Sequence, residues 1–569
     1  MAGPRRTNRR RTALTRRDFL RRAGLGSAAL GVLPLLPGCG SRSETPAGGG
    51  GQPLQFLHGV ASGDPLADRV MLWTRVSGLD SGRVTVNYGV YADPQLTQAV
   101  RSGSVETDAA RDFTVKVDVT GLQPGTSYYY QFESSGMKSP VGRTRTLPVG
   151  SVDRLRIGVV SCASYAHGLF NAYGRLAERQ DLDLVVHLGD YIYEYSSGDD
   201  GKEVYGDFRR YEPPTEILTL SDYRTRYAQY RRDPDLQALH RQHPMINVWD
   251  DHETADNSWM GGAVNHNENG DEGDWNARVG VALQAFYEWL PIRPVSADRR
   301  ASYRRFALGD LADLIMTETR LLARSEQATP LVQAPPPLPS AIAVFPDAGA
   351  VAAADRQLLG PEQEQWLSQQ LQSSSATWKL LGQQVMFGQL KVVGAPNALG
   401  TSLYLNPDQW DGYPRARERV YAMIDGSSGA KVDNVVVLTG DIHTSWAMDI
   451  TPDPNNPLAY NPLTGSGSLA VEFVATSITS PGLEQLNAIA DVIRPNNPHI
   501  KYVDLAQKGY LLLDLTPQRL VGEHWYVDSI EQAGAAEQFG IAFEVAAGSN
   551  RLVAGTQTTP KDDPPPFAP

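Results

Sequence analysis

Residues Pro244–Asn257 read PMINVWDDHETADN, a run of apolar character that empties into two adjacent aspartates, a histidine, a glutamate and, further on, a third aspartate and an asparagine. Taken alone, the polar half is a solvated loop leaving a buried strand. Its meaning depends on whether other strands end in the same way, and three do. VVS (Val159–Ser161) runs into Cys162. VVHLG (Val185–Gly189) runs into Asp190, with Tyr193 just beyond, and VVVLTG (Val435–Gly440) runs into Asp441 and His443. Helical stretches such as NAYGRLAER (Asn171–Arg179) and Tyr223–Arg241 alternate with these runs, the pattern of an α/β domain. In open α/β sheets, ligands gather outside the carboxyl ends of the strands. Side chains as distant as Cys162 and His443 are therefore expected to converge.

Each ending has a plain reading of its own. A Gly-Asp after a strand is usually a turn, an Asp-His pair a helix cap or surface charge, and a lone buried cysteine a small apolar filler. On four strand ends together they form a ligand set. Two cations about 3.5–4 Å apart can hold a hydroxide and clamp a phosphoryl oxygen, given a bridging carboxylate and further oxygen and imidazole donors. Thiolate and phenolate are the more donating ligands and favour Fe(III) at one position. A carboxylate-only side suits Ca(II) or another oxygen-seeking divalent ion.

The 569 residues allow a large core and more than one domain. A formal charge of -12 argues against nucleic acid or anionic lipid as a default partner, and the body of the chain has no internal membrane span. The start is a targeting segment. Met1–Gly26 is strongly basic, Leu25–Gly38 is apolar, and TRRDFL (Thr15–Leu20) resembles a twin-arginine signal with Arg16 and Arg17 as the pair. A basic nucleic-acid arm would not be followed by an apolar stretch. Leu36-Pro37-Gly38-Cys39 resembles a lipoprotein cleavage box, which makes Cys39 the lipidation candidate. The expected location is extracellular, cell-surface or periplasmic, after passage through the twin-arginine translocase. With Cys39 so used, Cys162 has no partner for an internal disulfide.

The expected organisation is a signal peptide over 1–38, a flexible tether over 39–52, a β-sandwich over 53–148, a catalytic domain over 153–530 and a C-terminal segment over 531–569. In the sandwich region RVMLWTRV, RVTVNYGVYA, FTVKVDVTGL and YYYQFES read as strands, and GLQPGTSYYYQF (Gly121–Phe132) has the form of a tyrosine corner. Its role is structural packing, or else adhesion or glycan binding. The Pro/Ala-rich run over 323–354 reads as a surface insertion. The tail KDDPPPFAP (Lys561–Pro569) reads as disordered. GGAVNHNENGDEGDW (Gly261–Trp275) fails as an EF-hand loop, because Asn276 stands at the twelfth position; it is an active-site rim or a plain polar loop. His187, inside a strand, reads as a core residue.

GDYIYE (Gly189–Glu194), WDDHE (Trp249–Glu253) and TGDIHTSW (Thr439–Trp446) resemble signatures of the PhoD-type alkaline phosphatases, of the calcineurin-like metallophosphoesterase superfamily that includes purple acid phosphatases. HGVASGDP (His58–Pro65) and LWTR (Leu72–Arg75) resemble that family's N-terminal region. The resemblance implies a four-layer α/β (α+β) metallophosphoesterase-like sandwich behind a small all-β fibronectin- or immunoglobulin-like domain. It implies one Fe(III) and one or two Ca(II), other divalent metals being possible. Cys162, Asp190, Tyr193 and His443 would hold the iron, and Asp190 would bridge to calcium with Asp251 and Asp441. Asn257 is a further candidate ligand, and Asp250 and Glu253 are supporting groups. The superfamily's additional histidine has no match near GQQVMFG (Gly382–Gly388).

The implied activity is hydrolysis of phosphate monoesters and diesters, by in-line attack of a metal-held hydroxide on phosphorus. His252 would stabilise the transition state or protonate the leaving alkoxide; otherwise it orients Asp251. Arg320, which ends LIMTETR, would contact phosphate or pair with a surface acid. A phospholipase D-like phosphodiesterase is the nearest alternative, and a surface binding lipoprotein is the alternative of another class. The chain is expected to act as a monomer, to bind no nucleic acid stably, and to touch membrane only through a lipid at Cys39.

Overall fold

Val435–Thr439 (VVVLT) is apolar at nearly every position because both its faces are covered: Val436 and Leu438 enter one core, Val435 and Val437 another. The computed structural model describes residues 54–197, 209–328, 332–333, 343–482 and 487–569. The leader, the tether with Cys39, and 329–331 and 334–342 of the insertion lie outside the described residues.

Among the described residues, this strand is β19 of a seven-stranded sheet. The order is β12 (Arg304–Leu308), β13 (Ala312–Met316), β16 (Trp378–Gly382), β19, β21 (Ala470–Val474), β20 (Ser445–Ile450) and β22 (Ile500–Asp504). The run β13–β16–β19–β21 is parallel. A ten-stranded sheet is built around the parallel β9 (Leu155–Val160), β10 (Leu184–His187) and β11 (Met245–Asn247). β23 (Gly509–Leu515), β24 (Arg519–Val527), β25 (Glu537–Ala546) and β26 (Val553–Ala554) extend it beyond β9. Beyond β11 come β1 (Val60–Gly63), β2 (Arg69–Arg75) and β5 (Thr114–Thr120).

Ile157, Val159, Val186 and Ile246 of the larger sheet meet Leu314, Leu380, Val436 and Leu438 of the smaller in one apolar layer. The alternate side chains Val160, Val185 and Met245 face a second core, shared with Tyr173 and Leu176 of α1 (Asn171–Ala177), Tyr223 of α2 (Leu220–Tyr230), Leu236 and Leu239 of α3 (Pro234–Gln242), and Val279 and Phe286 of α4 (Trp275–Trp289). Ile315, Leu381 and Val437 pack against Leu367 of α5 (Pro361–Ser373) and Val420 of α6 (Pro414–Asp425). The starts of these helices are written locally. Thr219 and Asp222 form a capping box on α2, and Asp233 and Asp274 accept from first-turn amides of α3 and α4.

The N-terminal strand region does not close on itself. β3 (Arg83–Tyr91), β4 (Ala99–Asp108), β6 (Ser127–Ser134), β7 (Met137–Lys138) and β8 (Gly142–Arg145) form their own sheet, whereas β1, β2 and β5 belong to the ten-stranded one. Val70, Leu72, Val86, Val90, Val115, Tyr130 and Phe132 make up the core between them. The Tyr128 hydroxyl accepts from Gln123 N at 2.8 Å, as a tyrosine corner requires. A small sheet of β14 (Val332–Gln333), β15 (Ala343–Pro346), β18 (Leu403–Tyr404) and β17 (Lys391–Val393) flanks the other core.

The tail differs from its expected disorder. Arg156 donates to Thr559 O at 3.1 Å, Arg143 to Pro565 O at 2.8 Å and Tyr129 to Pro566 O at 2.6 Å, and the Arg143 guanidinium lies over the Phe567 ring. The compositional bias that reads as disorder removes backbone donors, and here buried arginines and a tyrosine supply them instead. Deleting residues 559–569 is expected to lower the thermal unfolding midpoint by about 1–2 °C, on the order of 1–2 kcal/mol in a chain of this size; calorimetry of the two chains measures it.

Candidate metal centre

The chain leaves β9, β10 and β19 through residues in left-handed backbone, and they are ligand-type residues. Cys162 has φ 61°, Asp190 56°, Asp441 58° and His443 63°, and Asn257, after β11, has 50°. Non-glycine residues hold this conformation at a cost of about 1–3 kcal/mol each, and only where their surroundings over-determine it. Cys162 N donates to Gly189 O at 3.1 Å and Ala163 N to Asp190 O at 2.9 Å, so the ends of β9 and β10 fix one another.

These turns bring together donor atoms within 4.8 Å of one another in three buried groups: Cys162, Asp190 and His443; Asp190, Asp251 and His252; and Asp250, Asp251 and Asp441. Asp190 belongs to two of them. Tyr193 Oη donates to Asp190 Oδ2 at 3.0 Å and lies 3.1 Å from His443 Nε2. His443 Nδ1 lies 2.7 Å from Pro481 O, a contact that needs the proton on Nδ1 and leaves the Nε2 lone pair facing Asp190 and Tyr193. The first group thus offers sulfur, nitrogen and oxygen donors, and the third carboxylates alone. Asp250 Oδ2 is buried without a hydrogen-bond partner among the described residues. Burial pushes the Cys162 thiol well above its ordinary value, and Asp190 adds to the shift, so only a cation would hold the thiolate there.

The expected ligands Cys162, Asp190, Tyr193, Asp251, Asp441 and His443 therefore converge. Asn257 sits at the edge of the group, its backbone N–H donating to Asp251 Oδ2 at 2.6 Å. Glu253 fastens two strand ends, accepting from Asp190 N, Tyr191 N and Asp250 N at 2.6–3.0 Å. Burial, then the neighbouring Asp190, pushes its carboxyl up to about 8. His252 Nδ1 lies 2.8 Å from Glu194 Oε2 and its Nε2 3.9 Å from Asp251 Oδ2, with the ring stacked on Tyr193 at 4.2 Å. Burial by itself would lower the His252 pKa, but Asp251, Glu194 and Asp190 outweigh it and raise it well above the ordinary range.

Arg320 differs from both of its expected roles. It is fully buried; Nε donates to Asp250, Nη1 to Asp408 at 2.9 Å and Nη2 to Asp441 at 2.6 Å. Every guanidinium nitrogen is engaged by a carboxylate, so it stands behind the ligands rather than against phosphate, and its acids are buried rather than on the surface. His187 is a core residue, 2.7 Å from the Tyr173 hydroxyl. The Gly261–Trp275 loop reaches the site through Asn265, which donates to Glu194 Oε1 at 2.8 Å.

Sequence reasoning missed Glu194, Asp408, Gln409 and Ser480. Gln409 donates to Asp441 Oδ2 at 2.6 Å and Ser480 to the Tyr193 hydroxyl at 2.5 Å. The polar run TSITS (Thr476–Ser480) directly after β21 was a fifth strand end of the same kind, and the signal lay there.

Fold and site place the chain among α/β proteins built around a ligand cluster at their strand ends. Residues 157–523 match the family model of the PhoD-like phosphatases, and residues 43–148 match that of the PhoD-like phosphatase N-terminal domain. The chain belongs to the PhoD-like phosphatase family. It is 37% identical over 498 residues to alkaline phosphatase D of Bacillus subtilis (strain 168), covering 84% of this chain and 79% of that protein. A solved structure of PhoD superposes with a TM-score of 0.78 at 35% identity, over 89% of this chain and 92% of that one.

Gly189 has φ 110°, and a Cβ there would lie 2.4 Å from Asp250 Cβ and 2.5 Å from its amide nitrogen. Gly189→Ala is therefore expected to cost more than about 2 kcal/mol and to lower bound metal, read by chemical denaturation and elemental analysis.

Proposed function

We propose that the protein is an exported phosphoric ester hydrolase that cleaves phosphate monoesters and diesters by in-line displacement at phosphorus, as a monomer. The observation that carries this reading is the pair of buried donor groups sharing Asp190, Cys162–Asp190–His443 and Asp190–Asp251–His252, with the all-carboxylate group of Asp250, Asp251 and Asp441 joined to the second through Asp251. These residues fit the iron and calcium of the sequence reading. Cys162, Asp190, Tyr193 and His443 would hold Fe(III), and Asp190, Asp251, Asp441 and Asn257 would hold Ca(II), with other divalent ions as the alternative. Such ions, when bound, polarise a phosphoryl oxygen and lower the pKa of water.

The chain's own contribution is positioning and one proton. Glu194 accepts from His252 Nδ1, which turns Nε2 toward the Asp251 side of the group; there His252 carries a proton for the leaving alkoxide. Tyr193, stacked on the imidazole, keeps that ring from rotating. Arg320 and Glu253 hold the carboxylates and strand ends in register.

The two facing sheets with helices packed beyond them support a four-layer sandwich. The strand-only region from β1 to β8, with its tyrosine corner, supports an N-terminal fibronectin- or immunoglobulin-like unit that shares strands with the larger sheet. The leader motif supports export through the twin-arginine translocase, with lipidation at Cys39.

Hydrolysis of p-nitrophenyl phosphate and bis-p-nitrophenyl phosphate tests the function. Activity on at least one is expected, to be lost on chelation and in Asp190→Asn. His252→Gln is expected to lower kcat by about 10²–10⁴-fold with metal content retained, and Glu194→Gln to lower it less. Full activity in metal-stripped protein, or in Asp190→Asn, would sink the assignment.

A further inference from the structure

At the far end of the smaller sheet from the candidate metal centre, two abutting loops carry leucines that the described residues leave largely exposed. Leu458 is 96% exposed and Leu463 89%, and Leu399, on the turn between β17 and β18, is 65% exposed. The first two sit on successive Asn-Pro-Leu turns, Asn456–Leu458 and Asn461–Leu463. Residues 454–471 carry no charged side chain, and neither do residues 392–407, in a protein of formal charge -12.

These loops are held, so the exposure is not a matter of slack chain. Asn456 Oδ1 accepts from Leu458 N at 3.0 Å and Asn461 Oδ1 from Leu463 N at 2.9 Å. Tyr460, buried between the two turns, donates to Asp449 Oδ2 at 2.7 Å. Lys501 donates to the Tyr460 hydroxyl at 2.9 Å and to Pro462 O at 3.0 Å, and Arg551 to Leu463 O at 3.2 Å. Asn397 ties the second loop on, donating from Nδ2 to Pro452 O at 2.8 Å and from its backbone N–H to Asp453 Oδ1 at 3.1 Å. The cations therefore work underneath, on carbonyls and the phenol, while the tip presents Pro457, Leu458, Ala459, Pro462 and Leu463.

Large aliphatic side chains left this bare cost free energy in water, about 1.5–3 kcal/mol for each leucine that a partner would bury. The occupant follows from shape and charge. A stable protein interface needs on the order of 1,000 Å² of matched surface, whereas three knobs on narrow uncharged turns suit insertion into the boundary between lipid headgroups and acyl chains. An acidic chain is repelled by anionic lipid, so the matching surface is zwitterionic. We propose that this leucine tip docks the protein onto a zwitterionic lipid bilayer. β20 starts at Ser445 beside His443 and ends at Ile450 below the tip, a span of roughly 20 Å. A docked molecule thus turns its metal centre away from the bilayer, toward soluble esters.

The test uses the full chain carrying Cys39→Ser, to remove any lipid anchor, with Leu458→Cys labelled by a polarity-sensitive fluorophore; the remaining thiol, Cys162, is buried. On phosphatidylcholine vesicles containing nitroxide lipids, the label is expected to shift to the blue and to be quenched. In the unlabelled Cys39→Ser chain, Leu399→Ser, Leu458→Ser and Leu463→Ser together are expected to cut vesicle co-sedimentation at least tenfold, with p-nitrophenyl phosphate hydrolysis equal to that of the parent. An unquenched label on vesicle-bound protein would overturn the proposal, as would equal co-sedimentation of parent and triple variant. A concentration-dependent dimer abolished by the three serines would overturn it too, by making a second copy the occupant.

Discussion

Negative charge concentrated in a buried place is the constraint on which this structure turns. Asp190, Asp250, Asp251 and Asp441 lie at one group of strand ends and Asp408 on a loop against them, with Glu253 against two of the turns, and Arg320 and Arg324 supply the guanidinium side within the chain. A carboxylate taken out of water without a partner costs several kcal/mol, and removing one partner of such a pair costs about as much. The Arg320 guanidinium answers Asp250, Asp408 and Asp441 together, which is why a residue that reads as a phosphate contact becomes part of the scaffold. The remaining anionic surplus, beside a thiol that will not ionise unaided, is what suits the site to cations in the proposed function.

Holding that surplus requires a frame that does not relax. The frame is the apolar layer between two sheets, in which Ile157, Val186, Val436 and Leu438 fix the strands whose ends carry the ligands. Because the strands are clamped from both faces, the chain can sustain left-handed turns at Cys162, Asp190, Asp441 and His443, and those turns swing each side chain off its strand and into the common group. The same clamping explains Gly189 and Gly440. A Cβ on the first would strike Asp250, and one on the second would lie 2.8 Å from Ser161 Cβ, so β-strand ends approach one another as closely as glycine permits.

The outer parts extend that frame. β1, β2 and β5 continue the large sheet past β11, and the C-terminal tail crosses back over its lower edge to reach Arg143 and Tyr129 of the N-terminal strands. The body that presents the site is thus longer than the α/β core alone. Its opposite pole carries the uncharged leucine turns, so the molecule is polarised: charge chemistry at the carboxyl ends of the strands, apolar knobs one strand length away.

The strands were legible because apolar runs such as VVVLT and LVVH are short, bounded and covered on both faces, and the clustered candidate ligands because they follow those runs directly. Cys162, Asp190, Asp251, Asp441 and His443 could therefore be named from spacing and family resemblance. Asn265, Asp408 and Gln409 could not, since they come from loops whose contacts with the site are set by packing and leave no periodic trace. The role of Arg320 and the order of the tail were likewise invisible: a guanidinium's partners depend on which carboxylates lie within its reach, and PPPFAP is held by Arg143 and Arg241, 422 and 327 residues away in sequence. The sequence by itself determined which segments are strands and what chemistry their ends carry, through local hydrophobic pattern. Tertiary structure alone decided which charges meet, because pairing in a buried site depends on distances of a few ångströms that only the assembled sheets define.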